Sequence, residues 1–187
     1  MASDFRVVID ANVLMQAAVR DTLLRLSEQQ LFACRWSDDI IAEVRRNLIG
    51  KLKLEEANVD RLVGELRTYF PEAWVDSEYR ALIPAMTNHA KDRHVVAAAV
   101  KCQAAVIMTY NLKHYPEASL KPLNISAKTP DEYLVDLCGI HPEIVVQTLY
   151  QQGAHLNPPR SIEQVLAVLE VCGCRMLSRL IREKVNV

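Results

Sequence analysis

At 187 residues, with 50% hydrophobic and 24% charged residues, the chain suits one domain, or one domain with a small appendage, and can bury a sizeable core. Its formal net charge of −1 provides no global basic field, so any nucleic-acid binding has to rest on local patches. No stretch nears the roughly 20 apolar residues of a membrane span, and no basic region followed by a long apolar run opens the chain, so a soluble cytoplasmic protein is expected.

The first apolar run, Arg6-Val7-Val8-Ile9, reads as a buried strand, and Asp10 stands where that strand leaves the core. Residues 12–30 carry helical spacing through Val13, Leu14, Ala17, Leu24 and Leu31, with Arg20-Asp21 as the expected break between two helices. Phe32 to Trp36 is a short strand or a connector. Ser37 is an N-cap for a helix to about Leu48, with Gly50 beyond its end, and a further helix fits residues 55–69 before Pro71.

Residues 71–90 read as irregular, followed by a helix from about Lys91 to Gln103. Ala104 to Thr109 is a second buried strand, a loop runs from Tyr110 to Ser119, and a weaker strand lies near Leu123-Asn124-Ile125-Ser126. Strands alternating with helices imply an α/β layer with a parallel sheet. Beyond it, Thr129-Pro130-Asp131-Glu132 combines an N-cap, a first-turn proline and a capping-box glutamate. Gly139 and Pro142 separate that helix from one ending near Gly153. Ser161 to Gln164 is a second capping box, opening what reads as one long helix to about Lys184. Residues 129–187 are therefore expected to form an α-helical appendage to a unit spanning 1–128.

The five cysteines are odd in number and mostly lie in apolar stretches, which suits reduced core thiols. Cys172-Gly173-Cys174 lacks the spacer of a zinc knuckle.

Asp10 is either a helix cap or a ligand, and Asn12 could fill the cap in its place. Glu43 falls on the flank of the apolar stripe of its helix, on the side of Asn47, so it is a salt-bridging surface acid or a half-buried carboxylate aimed at the sheet edge. Asp92 lies on the core-facing side of a first helical turn. The helix dipole explains an acid there but leaves the inward orientation unexplained. Asn111 follows the second buried strand, after Thr109. Strand ends in an open parallel sheet are where ligands bind, and oxygen donors of this kind suit Mg²⁺ or Mn²⁺.

Taken in order, Val8-Ile9-Asp10-Ala11-Asn12, Ile40-Ile41-Ala42-Glu43-Val44, Asp92-Arg93-His94-Val95-Val96 and Thr109-Tyr110-Asn111-Leu112-Lys113-His114-Tyr115-Pro116 resemble the PIN-domain nucleases, in particular the toxin type called VapC-like. The resemblance covers roughly residues 5–126. It implies a three-layer α/β/α fold around a central parallel sheet and hydrolysis of RNA phosphodiester bonds by an endoribonuclease using Mg²⁺ or Mn²⁺. Asp10, Glu43 and Asp92 correspond to the first three acidic positions, and Asn111 stands at a fourth that is often aspartate. Asn12 matches the small polar position beside the first aspartate, and Thr109 supports the site. The resemblance further implies an RNA substrate, a small antitoxin protein as partner, and a homodimer.

Basic residues that could bring an anionic strand to this site are Arg45, Arg46, Lys51 and Lys53 after Glu43, Lys91, Arg93 and His94 around Asp92, and Lys113 with His114 in the loop. Arg175, Arg179 and Arg182 are spaced to share one helix face. Two other readings stand beside the nuclease: a non-catalytic RNA- or protein-binding PIN domain, and a phosphatase acting through a phosphoaspartate at Asp10. The second is weakened because Asn12, in place of another acid, stands two residues on.

Overall fold

A computed structural model describes residues 4–185. The elements in chain order are β1 (Arg6–Ile9), α1 (Ala11–Leu14), α2 (Ala17–Glu28), β2 (Ala33–Arg35), α3 (Asp38–Gly50) and α4 (Glu56–Tyr69). Short 3-10 turns at Pro71–Ala73, Ser77–Ala85 and Ala90–Asp92 lead into α5 (Arg93–Lys101) and β3 (Val106–Met108). A 3-10 turn at Leu112–His114, then α6 (Glu117–Leu120) and another turn at Lys121–Leu123, precede β4 (Ser126–Lys128). Four helices end the chain: α7 (Pro130–Ile140), α8 (Pro142–Ala154), α9 (Ile162–Val171) and α10 (Arg175–Val185).

The sheet has the order β2-β1-β3-β4 and every pairing is parallel. It is the middle layer of an α/β/α sandwich, and Val7, Val8, Ile9, Ile107 and Met108 are wholly buried in it, as parallel strands covered on both faces must be. Ile9 pairs with Met108, and Asp10 N–H donates to the Met108 carbonyl at 3.0 Å. Asp10 and Thr109 therefore leave the two central strands side by side.

Two helix boundaries differ from the sequence reading. The break in residues 12–30 lies at Met15-Gln16, where Gln16 is extended, and not at Arg20-Asp21. Arg20 stays inside α2 and donates from its guanidinium to the Leu14 carbonyl at 2.5 Å, satisfying the end of α1. The long C-terminal helix is two helices. Gly173 at φ +95° turns the chain, with Gly173 N–H on the Glu170 carbonyl and Cys174 N–H on the Leu169 carbonyl. That paired closure is a Schellman motif, and the positive φ favours glycine. Smaller differences are that Gly50 and Gly139 lie within their helices, both exposed, and that the weak strand is at Ser126–Lys128, where it pairs with β3.

Both expected capping boxes are present, at Thr129 with Glu132 and at Ser161 with Gln164. The four C-terminal helices share the core of the sheet unit. Phe32 meets Tyr133 edge-on at 5.3 Å, and Thr22 donates to Gln152 at 2.6 Å across the buried α2–α8 contact. All five cysteines are free thiols. No helix among the described residues is long and apolar enough to cross a membrane.

Candidate active site

The site is assembled by the ends of β1 and β3. Asp10 is almost fully buried and does cap α1: its Oδ1 accepts from Ala11 N–H at 2.7 Å. Capping and a place in the site are thus compatible, because the second oxygen faces elsewhere. Oδ2 accepts from the Thr109 hydroxyl at 2.7 Å, from Asn12 Nδ2 at 2.8 Å and from the Tyr115 phenol at 3.1 Å. Burial pushes the Asp10 pKa up, Thr109 opposes this, and the neighbouring charge of Asp92 adds to the rise.

Asn12 and Thr109 bind the two strand ends together. Asn12 Nδ2 also reaches Thr109 Oγ1 at 3.1 Å, while its Oδ1 accepts from Tyr110 N–H at 3.0 Å. Thr109 Oγ1 in turn accepts from Asn111 N–H at 3.0 Å. This fixes the Asn111 backbone at the mouth of the site, where Asn111 is exposed.

Asp92 comes from the 3-10 turn before α5. It is buried and makes no cap bond to that helix, so its inward orientation has another purpose than capping. Its Oδ2 lies 2.6 Å from His114 Nδ1 and 3.6 Å from His89 Nδ1. Glu43, on α3, is half-buried. Its Oε1 is 3.5 Å from Asn47 Nδ2, the neighbour expected from the helical wheel, and its Oε2 is 3.9 Å from His94 Nε2.

The charges of all three acids act on one buried side chain, Tyr115. Burial raises its phenol pKa, and the charges of Asp10, Asp92 and Glu43 all act in the same direction. Asp10, Glu43 and Asp92 do not, however, bring three ligand atoms within 4.8 Å of one another. Among the described residues the group that does so is His89, Asp92 and His114. Tyr115, His89 and His94 are the residues that sequence reasoning left without a role in the acid cluster. Tyr115 lies in the loop motif that carries the resemblance, but its contact with Asp10 has no local signal, since strand register and the loop after β3 bring the two together. The His89-x-x-Asp92 spacing was readable as one turn of chain.

The cationic residues fare unequally. Arg45 is held by Glu56 and, at 2.8 Å, by Asp60. Arg93 reaches the Asn88 carbonyl at 3.4 Å, and His114 is engaged with Asp92. Arg46 and Lys113 are exposed and form no ion pair among the described residues. On the last helix, Arg182 is bound by Glu163 and Glu170, and Arg179 by Glu183. The arginine stripe there is largely neutralised.

A buried carboxylate at the carboxyl edge of a parallel sheet, with a second acid beside it, stands where α/β proteins of the open-sheet class bind ligands. The family description "PIN domain" matches residues 6–113, more than half of the chain, and the chain belongs to that family. A second description, "VapC50 C-terminal domain", matches residues 130–183, which places the chain with the VapC-like type. Over 92 residues the chain is 44% identical to a Mycobacterium tuberculosis (strain ATCC 25618 / H37Rv) protein named "Putative ribonuclease VapC50", covering 49% of this chain and 54% of that relative. The match thus spans about half the length of the curated relative. No solved structure matches the chain.

Proposed function

We propose that the chain is a divalent-metal-dependent endoribonuclease and the toxin of a toxin–antitoxin pair, with Asp10, Glu43, Asp92 and Asn111 as its catalytic residues. The observation that carries this reading is the buried Asp10 carboxylate: it feels the charge of Asp92 and has no lysine or arginine ion pair among the described residues. A buried carboxylate without a basic partner, as Asp10 is, is costly, and a dication beside Asp10 and Asp92 would relieve that cost.

The donor set fits Mg²⁺ or Mn²⁺. Carboxylates of Asp10, Asp92 and Glu43 supply hard oxygen donors, and the amide of Asn111 adds a neutral one. The buried His94 Nε2 has no hydrogen-bond partner and lies 3.9 Å from Glu43 Oε2, so one polar atom beside the acids is unsatisfied. When bound, such an ion lowers the pKa of a water and neutralises charge on the phosphoryl transition state. Asp10 and Asp92 would hold the ion directly, Glu43 would ligate it or position the attacking water, and Asn111 would hold a metal-bound water or ligate through its carbonyl. Asn12, Thr109 and Tyr115 keep Asp10 aimed. Arg46, Arg93 and Lys113 guide the RNA backbone, with smaller parts for Arg45 and His114, which are already engaged by carboxylates.

The relative's name, ribonuclease, supports the substrate class, and its VapC designation supports pairing with a small antitoxin protein. We assign the nuclease unit to residues 1–128 and the helical extension to 129–187, consistent with family matches that end at 113 and resume at 130. A homodimer completes the proposal. Residues 1–3 and 186–187 of that division lie outside the described residues.

The test is RNA cleavage by the purified chain with Mg²⁺, Mn²⁺ or chelator, in parallel with Asp10→Asn and Asp92→Asn. Cleavage that needs the ion and is lost in both folded variants supports the reading. Undiminished cleavage in both eliminates the site, and chelator-resistant RNA binding without cleavage favours the non-catalytic binding module.

A further inference from the structure

We infer that His89, Asp92 and His114 form a binding site for a borderline transition-metal ion, with zinc the ion that the donors suit. Nδ1 of His114 and Nδ1 of His89 approach the same Asp92 oxygen, at 2.6 and 3.6 Å, and the three ligand atoms all lie within 4.8 Å of one another. Two imidazole nitrogens and one carboxylate oxygen, with a fourth position open to water, are the ligands of an open zinc site. Mg²⁺ prefers an all-oxygen shell, whereas imidazole suits zinc, copper, iron and nickel.

The local fold brings these donors together with little freedom. His89 is the N-cap of the 3-10 turn that ends at Asp92, so those two residues are one turn apart. His114 arrives from the loop after β3, and its backbone is fixed by His114 N–H on the Asn111 carbonyl at 2.8 Å and by His89 N–H on the His114 carbonyl at 3.2 Å. The two rings stack at 4.0 Å, 12° from parallel, with both Nδ1 edges towards Asp92. An ion cannot lie in the planes of two parallel rings at once, so one ring turns on binding. His89 is the one free to do so: its side chain is 43% exposed, and its Nδ1 receives only a 3.4 Å contact from Lys91 N–H.

One consequence rests on the function proposed above. Asp92 belongs to both donor sets, so zinc held by the histidines withdraws a carboxylate from the magnesium or manganese site and opposes cleavage.

The experiment titrates the chelator-stripped full chain with Zn²⁺ against a chromophoric chelator, with Co²⁺ absorption as a second readout of nitrogen and oxygen ligation. One zinc per chain is expected. A folded His89→Ala/His114→Ala variant should bind at least about tenfold more weakly, and a Cys172→Ser/Cys174→Ser variant should bind like the parent. The inference is overturned if the parent binds no zinc, if the histidine variant keeps the parent's affinity, or if the cysteine variant loses it. Magnesium-supported cleavage without zinc is assayed separately. Intact cleavage with no zinc binding removes this inference alone, and zinc bound by the histidines with no cleavage under any ion removes the functional reading alone.

Discussion

The phenol of Tyr115 donates to Oδ2 of Asp10 across 3.1 Å, joining residues 105 positions apart, and both side chains are buried. Burial and three nearby acids keep that phenol protonated, so it remains a donor wherever the fold is intact. Tyr115→Phe leaves Asp10 with Thr109, Asn12 and Ala11 as partners and removes one bond to a charged acceptor. It should lower stability by about 1–2 kcal/mol, measured by urea unfolding in chelator. An unchanged midpoint would show that the hydroxyl adds no net stabilisation.

Asp10 gives the metal-free protein a pH dependence. Its folded pKa lies above the ordinary aspartate value, first because it is buried. The folded state therefore binds the Asp10 proton more tightly than the unfolded chain does. This contribution to stability is fully present below the unfolded pKa and is lost as pH rises through the folded one. The stability of the parent minus that of Asp10→Asn, measured in chelator, should fall as pH rises above the ordinary aspartate pKa of about 4. A difference that is flat, or that rises with pH, contradicts the raised pKa.

Thr109 connects both strand ends, donating to Asp10 and accepting from Asn12 and Asn111. Thr109→Val keeps the shape but strands those groups in a buried place, at a cost of about 2–3 kcal/mol. Thr109→Ser keeps the hydroxyl and should recover most of that stability. Calorimetric melting of the two variants checks the difference, and equal losses would assign the effect to packing.

Asp131 serves α10 from another helix. Its carboxylate, buried in the first turn of α7, accepts from Met176 N–H at 2.9 Å and Leu177 N–H at 2.8 Å, where a helix N-terminus favours negative charge. Asp131→Ala should cost about 2 kcal/mol and speed hydrogen exchange across α10, with Asp131→Asn falling between it and the parent. Exchange in α10 as slow as in the parent would rule out this capping role.

Taken by itself, the sequence determined the elements whose signals are local. The β-branched run Arg6-Val7-Val8-Ile9, the Ser37 cap and the capping boxes at Thr129 and Ser161 were readable because each is set by residues within one turn or one strand of each other. The placement of Asp10, Asp92 and Asn111 at element ends, and of Glu43 on the flank of its helix, was readable for the same reason. The two misplaced helix boundaries show the limit. Arg20 looked like a break, yet it reaches back to Leu14, and Gly173 lay inside an uninterrupted apolar pattern.

Only the tertiary structure decided what those acids meet. Parallel register sets Ile9 against Met108, which puts Asp10 beside Thr109. The loop beyond β3 then brings Tyr115 to Asp10 and His114 to Asp92. Register and loop closure depend on contacts between distant segments, which no local spacing encodes. The same long-range packing decides that Asp92 has two imidazoles beside it, and that Tyr115 feels the charge of all three acids.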